Sequence, residues 1–176
     1  LESFGVAFVA EAQFMTGEEE LAKARNVKLT ARNLEKAFTK KMTLIAKANN
    51  TFKAVINLNQ PSWIVAGMSR VGLAYEDLML SMENAPAPRK LNEEQKEIYR
   101  QTLLAKADQT RQKAISAYNL CLKTAADLRW FNSYSEQAKQ SLSKLDYSFK
   151  FNKESARKLL SNEWRCFNFS KFKKIF

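Results

Sequence analysis

Apolar residues return every three or four positions through most of the first 145 residues, the period of a helix that buries one stripe. Leu34, Phe38, Met42, Ile45, Ala48, Phe52 and Val55 predict a long amphipathic helix over about residues 30–58. Ile64, Met68, Val71, Tyr75, Leu78 and Met82 continue the spacing in a second helix. Pro61 stands at its first position, and Pro86 and Pro88 close it. Asn92 with Gln95 has the form of a cap for a helix running to about Asp127. Its inner face reads as Ile98, Leu104, Ala107, Ala114, Tyr118, Cys121, Ala125 and Leu128. Ser133 with Glu136 opens a short helix holding Tyr134, Ala138, Leu142 and Leu145. Upstream, Thr16 with Glu19 patterns as a capping box for a helix to about Asn26. The stretch before it, with Phe4, Phe8, Ala12 and Met15, is apolar nearly all round and so predicts burial.

Composition agrees with helices and argues against sheets. Only 4 Gly and 3 Pro punctuate 176 residues, whereas strands need frequent turns built on special dihedrals. Long helices that each bury one stripe pack as antiparallel neighbours, so the expected fold is all-α, a set of helical hairpins. The segment Lys47–Val55 also aligns with Lys113–Cys121. Each copy has an alanine (Ala48, Ala114), an aromatic residue four positions on (Phe52, Tyr118), and later a tryptophan (Trp63, Trp130). That pattern resembles the second helix of a tetratricopeptide repeat, where a small residue admits a close neighbour and the ring wedges beside it. Gly72 and Tyr75 match the glycine and tyrosine of the first helix of that repeat. The copies lie 66 residues apart, so residues 84–112 read as an insertion that lengthens one repeat.

Over residues 10–145 a further resemblance rests on Pro61 and Trp63, Gly72 with Tyr75 and Glu76, and Ala85-Pro86-Ala87-Pro88. Leu91, Glu93 and Glu94, Ile98-Tyr99-Arg100, and Lys113-Ala114 with Tyr118 complete it. This run is similar to tetratricopeptide-type scaffold proteins in the cell envelopes of gliding and predatory Gram-negative bacteria. The resemblance implies a tetratricopeptide-like solenoid over residues 1–146, a periplasmic or outer-membrane-associated setting, and partners that are other proteins of a larger assembly.

The chemistry-bearing residues point away from catalysis. The chain has no His, which removes the commonest general base and zinc ligand. Cys121 lies on an apolar stripe and reads as a small buried hydrophobe, and with Cys166 it makes neither a zinc site nor a disulfide framework. Glu93, Glu94 and Glu97 read as a solvated helix face, and Asp77 and Glu83 as nothing more. Phosphate loops and nucleophile elbows are missing, so neither enzyme activity nor a cofactor or metal is expected. No run of 18 apolar residues exists. The opening stretch carries Glu2 and Glu11 without a basic region and does not read as a signal peptide. A first residue other than Met is what a processed chain or an excised fragment would show.

From Tyr147 the composition changes. Residues 147–176 hold eight aromatic residues and eight Lys or Arg against two Glu, contributing +6 of the net +11. The rest of the charge reads as an ordinary mixed surface. Tyr147, Phe149 and Phe151 alternate as in a strand, and Asn152 patterns as the cap of a helix through Trp164. This segment reads either as a cap closing the last hairpin or as a docking tail. In the second reading Phe149, Phe151, Trp164, Phe167, Phe169 and Phe172 are its anchors on a partner protein or a second copy of the chain. An anionic membrane surface and nucleic acid are the remaining readings. Arg70, Lys106, Arg111 and Arg129 are candidates for lining a concave helical surface. The functional expectation is thus a non-enzymatic protein-interaction scaffold, with a basic protein whose tail binds an anionic surface as the alternative.

Overall fold

Ala10, Phe14, Gly17, Leu21 and Ala24 recur at intervals of four and three, and all five are buried. They form the inner stripe of α1 (Glu2–Arg25), the first of five helices in the computed structural model, which describes residues 2–146, with side chains from residue 5 onward. α2 (Leu34–Asn57), α3 (Pro61–Glu83), α4 (Glu93–Asp127) and α5 (Ser133–Leu145) follow, and no strand occurs among the described residues. The all-helical class expected from the spacing is therefore observed. The aromatic basic segment, with Phe149, Phe151, Asn152, Trp164, Phe167, Phe169 and Phe172, lies outside the described residues.

Successive helices run antiparallel, and α3 is the centre. It packs on all four others, whereas α2 and α4 do not pack on each other. Ring contacts hold the first half of the core: Phe14 of α1 meets Phe52 of α2 at 5.6 Å, Trp63 of α3 at 5.1 Å and Tyr134 of α5 at 5.3 Å between centroids. Such tilted and edge-on pairs add to the area they bury. The second half gathers Tyr118, Cys121 and Ala125 of α4 with Val65 and Met68 of α3 and Ala138 and Leu142 of α5.

Two of the helix contacts are set by glycine. A Cβ on Gly17 would stand 2.6 Å from the Phe52 ring, and one on Gly72 would stand 2.5 Å from the Tyr118 ring. Both rings are fully buried and have no room to retreat. The α1–α2 and α3–α4 hairpins are thus each closed by an aromatic ring set against bare backbone.

Several details differ from the sequence expectation. Thr16 and Glu19 open no helix; α1 runs straight through, and Thr16 Oγ1 donates to Ala12 O one turn back at 3.0 Å. The stripe of Phe8, Ala12 and Met15 faces away from the core, with Phe8 68% and Met15 58% exposed. α1 is apolar on two opposite faces, and among the described residues helices pack on one of them. α2 starts at Leu34, because the Asn33 side chain accepts from Thr30 and holds residues 30–33 in a turn. Met42 of the expected α2 stripe is exposed. Ile98 and Leu104 are exposed too, since α3 ends at Glu83, beside Arg111, and among the described residues no other helix packs on the first 14 residues of α4. Ala107 is the first buried residue of α4. Asn132, not Ser133, caps α5, accepting from the backbone N–H of Tyr134 and Ser135. The Asn92–Gln95 capping box and Pro61 at the first turn of α3 stand as expected.

Two outcomes test this packing. Phe14→Ala lowers stability by about 3–5 kcal/mol, the cost of a large buried ring, whereas Phe8→Ala changes it by no more than about 0.5 kcal/mol; urea melts of both variants measure the difference. Gly72→Ala costs about 1–3 kcal/mol by overpacking, despite a helix-propensity gain of about 1 kcal/mol. In a Tyr118→Leu background the same change is close to neutral, because the ring it strikes is gone.

Candidate functional site

The four cations proposed from sequence as one surface are not gathered. Arg70 of α3 is largely buried, its side chain 13% exposed. Its Nε donates to Glu18 of α1 at 2.5 Å, its Nη1 donates to Gln137 of α5 at 2.8 Å, and its guanidinium lies 4.8 Å from the Tyr134 ring centroid. It ties three helices together. Arg111 is paired with Glu83 and lies 3.6 Å from Asp108. Lys106 is exposed on α4, and Arg129 sits 23 residues further along the chain, about 34 Å at the rise of a helix. There Arg129 takes a left-handed φ of 53°, and Trp130 N–H bonds back to Ala125 O at 2.8 Å, the closing turn of α4.

A second cation is buried by the fold. Lys41 of α2, its side chain 3% exposed, donates to Ala24 O at 3.1 Å at the carbonyl end of α1. Its ammonium lies 2.6 Å from Asp77 Oδ2 of α3, off the line of a hydrogen bond, so that contact is an ion pair. Arg25 adds a contact at 3.8 Å to the same carboxylate. Removing one member of such a set leaves a buried charge uncompensated.

Inside the second core half, burial pushes the Cys121 thiol up to about 12. Burial and the bond donated to Glu76 at 2.6 Å raise the Tyr118 phenol well above its ordinary 10. Cys121 is therefore a neutral thiol at physiological pH, donating to Val65 O at 3.4 Å, and not a nucleophile.

Besides Trp130 and Phe131, exposed at the turn into α5, three features stand out on the open surface of the described residues. The first is the outer stripe of α1: Phe8, Ala12 and Met15, with exposed Glu11 and Glu19 alongside. The second is a cavity of about 400 Å3 under the overhanging start of α4, lined by Tyr99, Leu103 and Leu104 opposite Pro86. The third is a basic corner where α1 turns into α2. Residues 1–22 contain five Glu and no Lys or Arg, whereas residues 23–41 contain seven Lys or Arg and one Glu. The charge outside residues 147–176 is thus not evenly mixed, contrary to the expectation from composition, and a window count along the sequence would have found the block. The corner encloses an open cavity of about 760 Å3 lined by Lys23, Lys28, Lys36 and Lys40 and floored by Val27 and Leu44.

Among the described residues no group of three or more His, Cys, Asp or Glu side chains gathers, and no helix is long and apolar enough to cross a membrane. The titrations give a pH dependence. Keeping Cys121 and Tyr118 neutral stabilises the fold fully below the ordinary thiol value; as pH rises towards about 12, the unfolded chain releases these protons first and stability falls. Cys121 should resist alkylation at pH 8 until denaturant is added, as read by peptide mass, and thermal melts should decline above about pH 9. Comparison with protein-family models, with curated proteins and with solved structures finds no match.

Proposed function

We propose that this chain is a non-enzymatic interaction scaffold, built from helical hairpins stacked in the tetratricopeptide manner, whose first helix docks an amphipathic helix of a partner protein. The outer stripe of α1 carries this reading. Phe8, Ala12 and Met15 stand at i, i+4 and i+7 opposite the core face, the arrangement one helix uses to pack on another. Glu11 and Glu19 flank the stripe, so the partner helix carries Lys or Arg beside its own apolar row.

The hairpin order supports the stacked arrangement. α1, α3 and α5 run parallel, side by side, joined through Arg70, and each of the first two hairpins lays a ring on a glycine. The interval from glycine to ring is 35 residues in the first pair (Gly17 to Phe52) and 46 in the second (Gly72 to Tyr118). The second interval is thus 11 residues longer, about three helical turns, most of them in the first part of α4 within the expected lengthening over 84–112. α5 exposes Ser133, Glu136, Gln137, Gln140, Ser143 and Lys144, all polar, while Trp130 and Phe131 are exposed at the turn that leads into it. A cell-envelope setting belongs to the same proposal and rests on the sequence resemblance.

The test uses a synthetic amphipathic helix with Leu at i, i+4 and i+7 and Lys at the flanks. The full chain binds it, and Phe8→Ser/Met15→Ser weakens binding at least tenfold, the loss of two apolar anchors, while the melting curve is unchanged. Equal binding of a Glu-flanked peptide, or full binding by the double variant, as read by titration calorimetry, would defeat the reading.

A further inference from the structure

The corner between α1 and α2 keeps like charges together with no structural return. Lys36 and Lys40 stand four apart on α2, a spacing at which like charges repel. Among the described residues no carboxylate pairs with Lys28, Lys36 or Lys40, and Lys23 has only a 3.7 Å contact with Glu19, in which both side chains are exposed. No acidic residue lines the cavity they surround. Its floor is aliphatic, Val27 and Leu44, and the lysine stems extend that apolar lining outward before their ammonium groups reach water. The cavity also opens beside the start of α2, whose first turn receives no side-chain cap, although Glu35 in that turn offsets part of the helix dipole, so the lysines carry the site's positive charge.

We propose that this corner is a binding site for the headgroup phosphate and upper acyl chain of an anionic phospholipid, holding the scaffold on a membrane surface. Compact ammonium groups on flexible stems meet a phosphate as point charges, and the aliphatic floor accepts the first methylenes below it. A nucleic acid would be served by aromatic stacking platforms, and the lining holds none. The site is separate from the stripe of Phe8 and Met15, and it does not draw on residues 147–176.

The experiment is co-sedimentation of the full chain with phosphatidylcholine vesicles containing 30% (roughly one lipid in three) phosphatidylglycerol, at low salt. Each lysine near an anionic surface contributes about fivefold, so Lys28→Gln/Lys36→Gln/Lys40→Gln weakens binding about a hundredfold. A charge-matched control, Lys106→Gln/Lys113→Gln/Lys123→Gln on the exposed side of α4, loses far less, and Lys→Arg at the three corner positions retains binding. Phe8→Ser/Met15→Ser binds vesicles like the parent, which separates this site from the peptide-docking reading. The proposal fails if both triple variants lose binding equally, since net charge alone then acts. It also fails if the corner triple binds like the parent, which would place the affinity elsewhere on the chain. Equal binding to vesicles of phosphatidylcholine alone overturns it, as does tighter binding of duplex DNA that the corner triple abolishes.

Discussion

Two aromatic rings laid on two glycines determine how near the paired helices come, and the rest of the arrangement follows from that separation. With Phe52 on Gly17 and Tyr118 on Gly72, the backbones of α1 and α2, and of α3 and α4, approach more closely than a Cβ between them would permit. Phe14 can then reach rings from three other helices at once, and the alanines Ala10, Ala24, Ala48 and Ala114 serve as spacers with no exposed surface. A third glycine, Gly67, brings α3 up to the Phe52 carbonyl of α2, where a Cβ would stand at 3.2 Å. The same ring is thus pressed from one side and its backbone from the other. Dense cores transmit such constraints because their neighbours have no free volume into which to relax.

Charge performs two separate tasks. Where it is buried it joins elements: Lys41 connects the end of α1 to Asp77 of α3, Arg70 connects α1 to α5 through α3, and Glu20 accepts from Thr51 and pairs with Lys47. These groups are satisfied by partners from different helices, so their geometry helps define the register of the hairpins. At the α1–α2 end exposed charge is segregated, acidic along α1 and basic at the corner that follows it, whereas α4 interleaves both signs. Exposed single-sign blocks contribute little to stability and a great deal to the field a ligand meets. The separation gives the two surfaces opposite electrostatic potentials.

The second hairpin differs from the first by its length. Its extra turns carry α4 past the end of α3, and the proline-rich connector folds back against the overhang instead of a helix. Ile98 and Leu104 lose their expected packing there for want of a partner, not because their spacing is wrong. Length alone thus turns part of a helical stripe from core into surface.

The residues themselves determined much of this. Period, caps and scarce glycine specified an all-α chain with Pro61 and Asn92 at the starts of α3 and α4, because those signals act within a few residues of the chain. The division drawn at Thr16 gave way to one continuous α1. The pairing of Ala48 with Phe52 and of Ala114 with Tyr118 was also legible, though the glycines beneath the rings were recognisable only at Gly72. Other features needed the tertiary structure. α1 offers two apolar stripes at the same spacing, and periodicity does not say which one another helix will cover; Phe14 became the centre and Phe8 the surface. Arg70 looked like a free cation because Glu18 and Gln137 are 52 and 67 residues away in sequence. The basic corner combines both sources: its charge is written in residues 23–41, while the apolar floor beneath it exists only once α1 and α2 have folded against each other. Local chemistry decides which segments are helices, and packing between distant segments decides which of their faces remain to bind.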